Sequence, residues 1–171
     1  MQAKIQSLFF TFNFCSNECF KLRKLKVMSN KRFIQPEDVE TQVFDWGTIK
    51  WMSTPKHNEA ERFTTGVVLL EPGKGHTRHN HPGVEEILYV VSGEGEQMVE
   101  VPDGNSGMKE ERRPIKSGML IHIPADVFHE TINTSWESLK LIAIYAPSGP
   151  EELLREMANQ ILPAGGLPER S

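Results

Sequence analysis

Apolar and β-branched residues fall in short runs along this chain, separated by turn formers, and only one stretch repeats at the helical period. Residues 64–70, 87–91, 120–123 and 139–145 are the clearest runs, each bounded by Gly, Pro, Asn or Asp. Gly93-Glu94-Gly95 leads from the second run into residues 96–100. Residues 102–107, Pro-Asp-Gly-Asn-Ser-Gly, read as a turn in which Asp-Gly tolerates positive φ. Strand-like text begins near Thr41. Short strands at regular spacing, with no helical period between them, predict an all-β antiparallel barrel or jelly roll rather than a parallel sheet. One helix is expected near the end. Ser148 and Glu151 have capping-box spacing, and Glu151-Glu152 put negative charge on the first turn. Leu153, Leu154, Met157, Ala158 and Ile161 recur at helical spacing until Pro163 stops the run. Such a stripe lies against the barrel or a partner subunit.

Composition narrows the class. At 171 residues, 38% hydrophobic and 25% charged, the chain suits one soluble domain with a single core. Its net charge of −4 is unevenly spread. Residues 1–28 carry Lys4, Lys21, Arg23, Lys24 and Lys26 against Glu18, a balance of +4 that leaves −8 for the rest. An acidic body without a basic stripe argues against a nucleic-acid partner. The run from Leu8 to Phe14 is too short and interrupted to cross a bilayer, and its basic cluster follows the apolar run, unlike a secretory signal. Residues 1–28 are therefore expected to be an extension outside the fold, with Met28 a candidate start; a membrane-surface anchor is the competing reading. Cys15 and Cys19 both fall in this extension, so the body offers neither a disulfide nor a thiolate nucleophile. The expected organisation is extension 1–28, barrel 29–147, and helix and tail 148–171, in a cytoplasmic protein.

The candidate chemistry lies in two glycine-framed stretches. His79 and His81 are two residues apart, so on an extended strand both side chains leave one face about 7 Å apart and can converge on one ion. Glu86 opens the next strand after the Pro82-Gly83 turn and brings a carboxylate to the same place. His129, just after Pro124-Ala125-Asp126, supplies a fourth donor if a closed barrel sets its strand opposite.

These residues carry a specific resemblance. Gly73-x5-His79-x-His81-x4-Glu86-x6-Gly93 and Gly118-x5-Pro124-x-Asp126-x2-His129-x3-Asn133 resemble the two cupin motifs, over roughly residues 62–146. The single departure is Asp126, where the family usually has glycine; Asp tolerates a left-handed backbone, so the turn is expected to survive. The resemblance implies a single-domain cupin, a double-stranded β-helix of jelly-roll type. It implies His79, His81, Glu86 and His129 as metal ligands lining its interior, with Glu86 preferred over Glu85 by its spacing to Gly93. It also implies a homodimer.

Three neutral histidines and a carboxylate leave a divalent ion with residual positive charge and favour Mn, Fe, Ni or Zn over Ca or Mg, without choosing among the four. Arg62 and Arg78 are candidates for clamping an anion, and Tyr89, Gln97 and Phe128 for lining the cavity. His122 is either a cavity residue or a hydrogen-bonded core histidine, His76 a loop or rim residue, and His57 exposed. No Ser or Cys stands in a nucleophile frame. The expected function is a metal-dependent enzyme of isomerase, lyase or dioxygenase type acting on a small sugar or oxygenated carboxylate, with its catalytic residues unassigned. The alternative is a non-catalytic metal-containing module that binds a small molecule. A storage barrel fits an intact ligand set poorly, and a DNA-binding helical segment is missing from the pattern.

Overall fold

A computed structural model describes residues 32–167; the extension with its two cysteines lies outside the described residues. Eleven strands and two short helices follow in order: β1 (Thr41–Phe44), β2 (Gly47–Ser53), α1 (Pro55–Asn58), β3 (Thr64–Leu70), β4 (Gly75–His79), β5 (Glu85–Ser92), β6 (Glu94–Pro102), β7 (Met108–Lys116), β8 (Leu120–Ile123), β9 (His129–Ile132), β10 (Leu139–Ala146), α2 (Pro150–Met157) and β11 (Gln160–Leu162). A 3-10 turn, Pro36–Asp38, precedes them. The strands form two antiparallel sheets, seven-stranded β11-β1-β2-β3-β10-β5-β8 and four-stranded β4-β9-β6-β7. This is the all-β jelly-roll architecture expected from the strand pattern.

Alternation along the strands decides what each sheet buries. On β10, Leu139, Leu141, Ala143 and Tyr145 are buried and the residues between them are not. Their cross-strand neighbours on β5 and β3 continue the same face: Glu86, Leu88 and Val90 on one side, Thr64, Val68 and Leu70 on the other. Phe44, Ile49, Trp51, Ile115, Ile123 and Leu154 complete the core. At about 1.5–3 kcal/mol per buried large apolar side chain, this face is the main stabilising element of the fold.

Gly93, between β5 and β6, has φ +85°, and a Cβ there would come within 2.7 Å of the Ser138 carbonyl oxygen. Only glycine fits both the backbone angle and the approach.

Three elements differ from the sequence expectation. β7 carries the sequence MKEERRPIK, too polar to announce itself as a strand, and it pairs with β6 over nine residues. It is an edge strand of its sheet, which is where Pro114 can be accommodated. α2 is capped at Gly149, whose amide donates to the Glu151 carboxylate at 2.6 Å, rather than at Ser148. It ends at Met157, and Ile161, expected in the helical stripe, lies instead on β11, paired with Gln42 of β1. The segment after the helix thus completes the larger sheet.

Candidate metal centre

His79, His81, Glu86 and His129 meet inside the barrel, with one donor atom from each lying within 4.8 Å of all the others. Register accounts for the convergence. His79 and His129 are direct partners across β4 and β9, and Glu86 is the inward residue at the start of β5, opposite Tyr145 of β10 and Ile123 of β8. His81 reaches in from the loop that follows β4. Of the two adjacent carboxylates, Glu86 is 4% exposed, whereas Glu85 faces solvent and pairs with His122 at 3.3 Å.

The arrangement suits a cation. The Nδ1 atoms of His79 and His129 donate to the carbonyls of Thr77 (2.7 Å) and Val127 (3.0 Å), which leaves Nε2 of each ring as the lone-pair atom facing the centre. Nε2 of His79, His81 and His129 and Oε2 of Glu86 are all buried without a hydrogen-bond partner. Leaving four such atoms buried and facing each other is costly unless a positive charge lies among them. Glu86 Oε2 is 2.9 Å from His129 Nε2 and 3.5 Å from His81 Nε2. Two donors about 2.1 Å from one ion lie about 3.0 Å apart at a right angle and about 3.4 Å apart at the tetrahedral angle. Those two spacings match donors that share one metal ion, and the four residues form a group that could hold one.

Electrostatics agree with that fit. Burial alone would raise the Glu86 carboxyl, but the His129 and His81 ring nitrogens facing it outweigh burial and bring its pKa down to about 2. Burial, aided by the neighbouring His76 and His129 rings, lowers His79 to about 3. At neutral pH the centre holds an ionised carboxylate and a neutral His79, both in the protonation state that ligation requires.

Two neighbours complete the wall. The Tyr145 ring meets the His81 ring edge-on at 4.9 Å and Trp51 at 5.7 Å. Its hydroxyl is held well above the usual range, first by burial and then by the charge of Glu86 and a hydrogen bond to it. Nothing in the motif spacing marks Tyr145; its place in the alternation of β10, one strand over from Glu86, is the only signal. His76, expected at the rim, instead stacks on His79 with ring centroids 3.8 Å apart, and burial lowers its pKa to about 4.

The other candidates are scattered. Gln97 is buried and faces the interior, where its side-chain carbonyl accepts from the Thr131 hydroxyl at 2.6 Å, one inward position from the Val99–His129 pair. Arg78 does not turn toward the centre. Alternation puts it on the opposite face from His79, where it pairs with Glu100 and lies 3.9 Å over the Phe128 ring. Tyr89 is 41% exposed and faces outward, because the inward positions of β5 are Glu86, Leu88 and Val90. His122 is outward too, paired with Glu85, so it is neither a cavity nor a core histidine. Arg62 is exposed in the loop before β3. A cavity of about 710 Å³ lies apart from the centre, between β1, β2 and α2, and none of the four donors lines it.

Comparison with known proteins points the same way as the fold. A family model described as "Cupin domain" matches residues 66–145. Protein SchB of Streptomyces halstedii is 28% identical over 139 residues, 78% of this chain and 94% of its own. KdgF from Halomonas sp. shares the fold at a TM-score of 0.56 and 21% identity, over 70% of this chain and 98% of its own. An oxalate decarboxylase of Bacillus subtilis with Mn(II) centres shares it at 0.55 and 20% identity, over 62% of this chain. This chain spans only 27% of that decarboxylase chain.

Proposed function

Residues 66–145 are a cupin domain, and from that premise we propose that this protein is a metal-dependent cupin enzyme acting on a small polar or anionic molecule, a sugar or oxygenated carboxylate. The observation that carries the proposal is the convergence of four buried atoms, Nε2 of His79, His81 and His129 and Oε2 of Glu86, none of which has a hydrogen-bond partner. His79, His81, Glu86 and His129 are its ligands, and the ion is Mn, Fe, Ni or Zn. The Mn(II) centres of the Bacillus subtilis decarboxylase favour testing manganese first. When bound, such an ion supplies a Lewis acid that binds and polarises an anionic or carbonyl oxygen. The chain's own residues do the rest. Glu86 cancels part of the cationic charge, Thr77 and Val127 hold the His79 and His129 rings in one tautomer, and the buried Tyr145 ring packs edge-on against His81.

Among the described residues no helix is long and apolar enough to cross a membrane. Elemental analysis of purified protein, with His79→Ala as its control, identifies the ion. A panel of sugars and keto-acids then tests for metal-dependent turnover that His129→Ala abolishes. Stoichiometric metal with turnover is the expected result. Thermal stabilisation by a compound of the panel, with no turnover, instead assigns a binding module.

A further inference from the structure

We infer that His76 is a positioning residue for His79, acting through an aromatic column that ties the edge strand β4 to the opposite sheet; the inference rests on the metal-centre reading above. β4 is at the edge of the four-stranded sheet with β9 as its neighbour, and its register slips between His76 and His79. In a regular strand, residues three apart face opposite sides. The slip brings both rings to one side, their centroids 3.8 Å apart and their planes 38° from parallel. Behind His76 lies the Trp46 ring at 5.2 Å, and Trp46 stacks on Phe44 at 4.5 Å with planes 6° apart. Phe44 belongs to the buried core on β1. Four rings thus run from the core of the larger sheet to the least enclosed of the four donors.

The column supplies what β4 lacks. The hydrogen bond from His79 to Thr77 comes from the same strand. It fixes the ring relative to β4 but does not fix β4 relative to Glu86 and His81. The Trp46 contact does, because Trp46 sits between β1 and β2 of the opposite sheet and meets His76 at 5.2 Å, and the His76 ring passes that contact on to His79. The role belongs to the ring face and needs neither nitrogen of His76, so a flat apolar ring should perform it.

The test is metal affinity of the full-length protein, measured by calorimetric titration with Mn²⁺ and Zn²⁺, with the Mn²⁺ resonance spectrum as a second reading of ligand geometry. His76→Ala is expected to weaken binding about 10–100-fold, the usual range for residues that orient ligands. His76→Phe is expected to remain within about threefold of wild type, because it keeps the stacked face. Trp46→Ala should act in the same direction, and the double variant should lose less than the two single losses combined. If His76→Ala does not fold, His76→Phe against His76→Gln carries the comparison, with Phe retaining affinity and Gln losing it. Unchanged affinity in His76→Ala overturns the inference while leaving the metal centre intact, as does equal weakening by Phe and Ala. A wild-type protein that takes up no ion overturns the metal-centre reading itself, and this inference with it.

Discussion

The Asp126 carboxylate accepts a hydrogen bond from the Gly83 amide at 3.0 Å, joining the turn before His129 to the turn after His81. The Asp126 amide donates to the His81 carbonyl at 3.2 Å, and the Asn80 side chain donates to the Asp126 carbonyl at 3.1 Å. Asp126 has φ +67°, the left-handed conformation that glycine usually supplies at this motif position. The departure from the motif therefore keeps the turn and adds a side-chain clasp between two ligand-bearing loops.

Asp126→Asn should keep both features and unfold within about 0.5 kcal/mol of wild type. Asp126→Ala should lose about 1–2 kcal/mol, combining left-handed strain with a lost hydrogen bond. Asp126→Gly removes the strain but also the clasp, so it should hold stability while weakening metal affinity. Urea unfolding and metal titration of the three variants measure the two effects separately.

Tyr145→Phe removes the hydroxyl beside Glu86 and leaves the ring packing against Trp51 and His81. Metal affinity is expected to fall about tenfold. Stability of the metal-free protein should change by only about 1 kcal/mol, since one hydrogen bond is lost and no cavity opens. A wild-type affinity in this variant would show that Glu86 needs no support from β10.

Acid should destabilise the metal-free protein from two directions. His79 and His76 fall from 6.5 unfolded to about 3 and about 4 folded, so below pH 6.5 the unfolded chain binds more protons and stability drops as pH falls toward those values. The slope is roughly 1 kcal/mol per pH unit for each histidine. Glu86 falls from 4.5 to about 2; its contribution is complete above pH 4.5 and is lost as pH falls through 2. Urea titrations of metal-free protein at pH 7.5, 6.5 and 5.5 should show the histidine slope, and His79→Gln should flatten it.

We propose a homodimer formed through the outer face of the seven-stranded sheet. Val67, Ile142, Tyr89 and Leu120 are cross-strand neighbours there and make an apolar row, with Tyr89 41% and Leu120 60% exposed. Wild type is expected to sediment as a dimer, and Tyr89→Lys with Leu120→Lys as a folded monomer. A dimer that survives both charges lies on another face.

Much of this could be read from the sequence, for identifiable reasons. Residues 64–70, 120–123 and 139–145 have one or two buried faces, so hydrophobic content marks them as strands. The four donors were legible because glycine and proline fix their spacing. β7 was not, because its residues mostly face solvent. Tyr89 and Arg78 stand at odd spacings from Glu86 and His79, so alternation alone turns them outward once those two face inward, whereas β8 carries no ligand and only its register places His122. His76 was read as a loop or rim residue because the register slip in β4 that turns it toward His79 is invisible in composition.

The charged sequence of β7 also has a bearing on how the molecule behaves among its own copies. Its outer rim is an open row of backbone groups of the kind that recruits a neighbouring chain into a growing ribbon. Pro114 withholds one amide from that row, and Lys109, Glu110, Glu111, Arg112 and Arg113 crowd it with hydrated side chains of both signs. Crowded solutions of this protein are thereby guarded against fibrous association along the β7 edge.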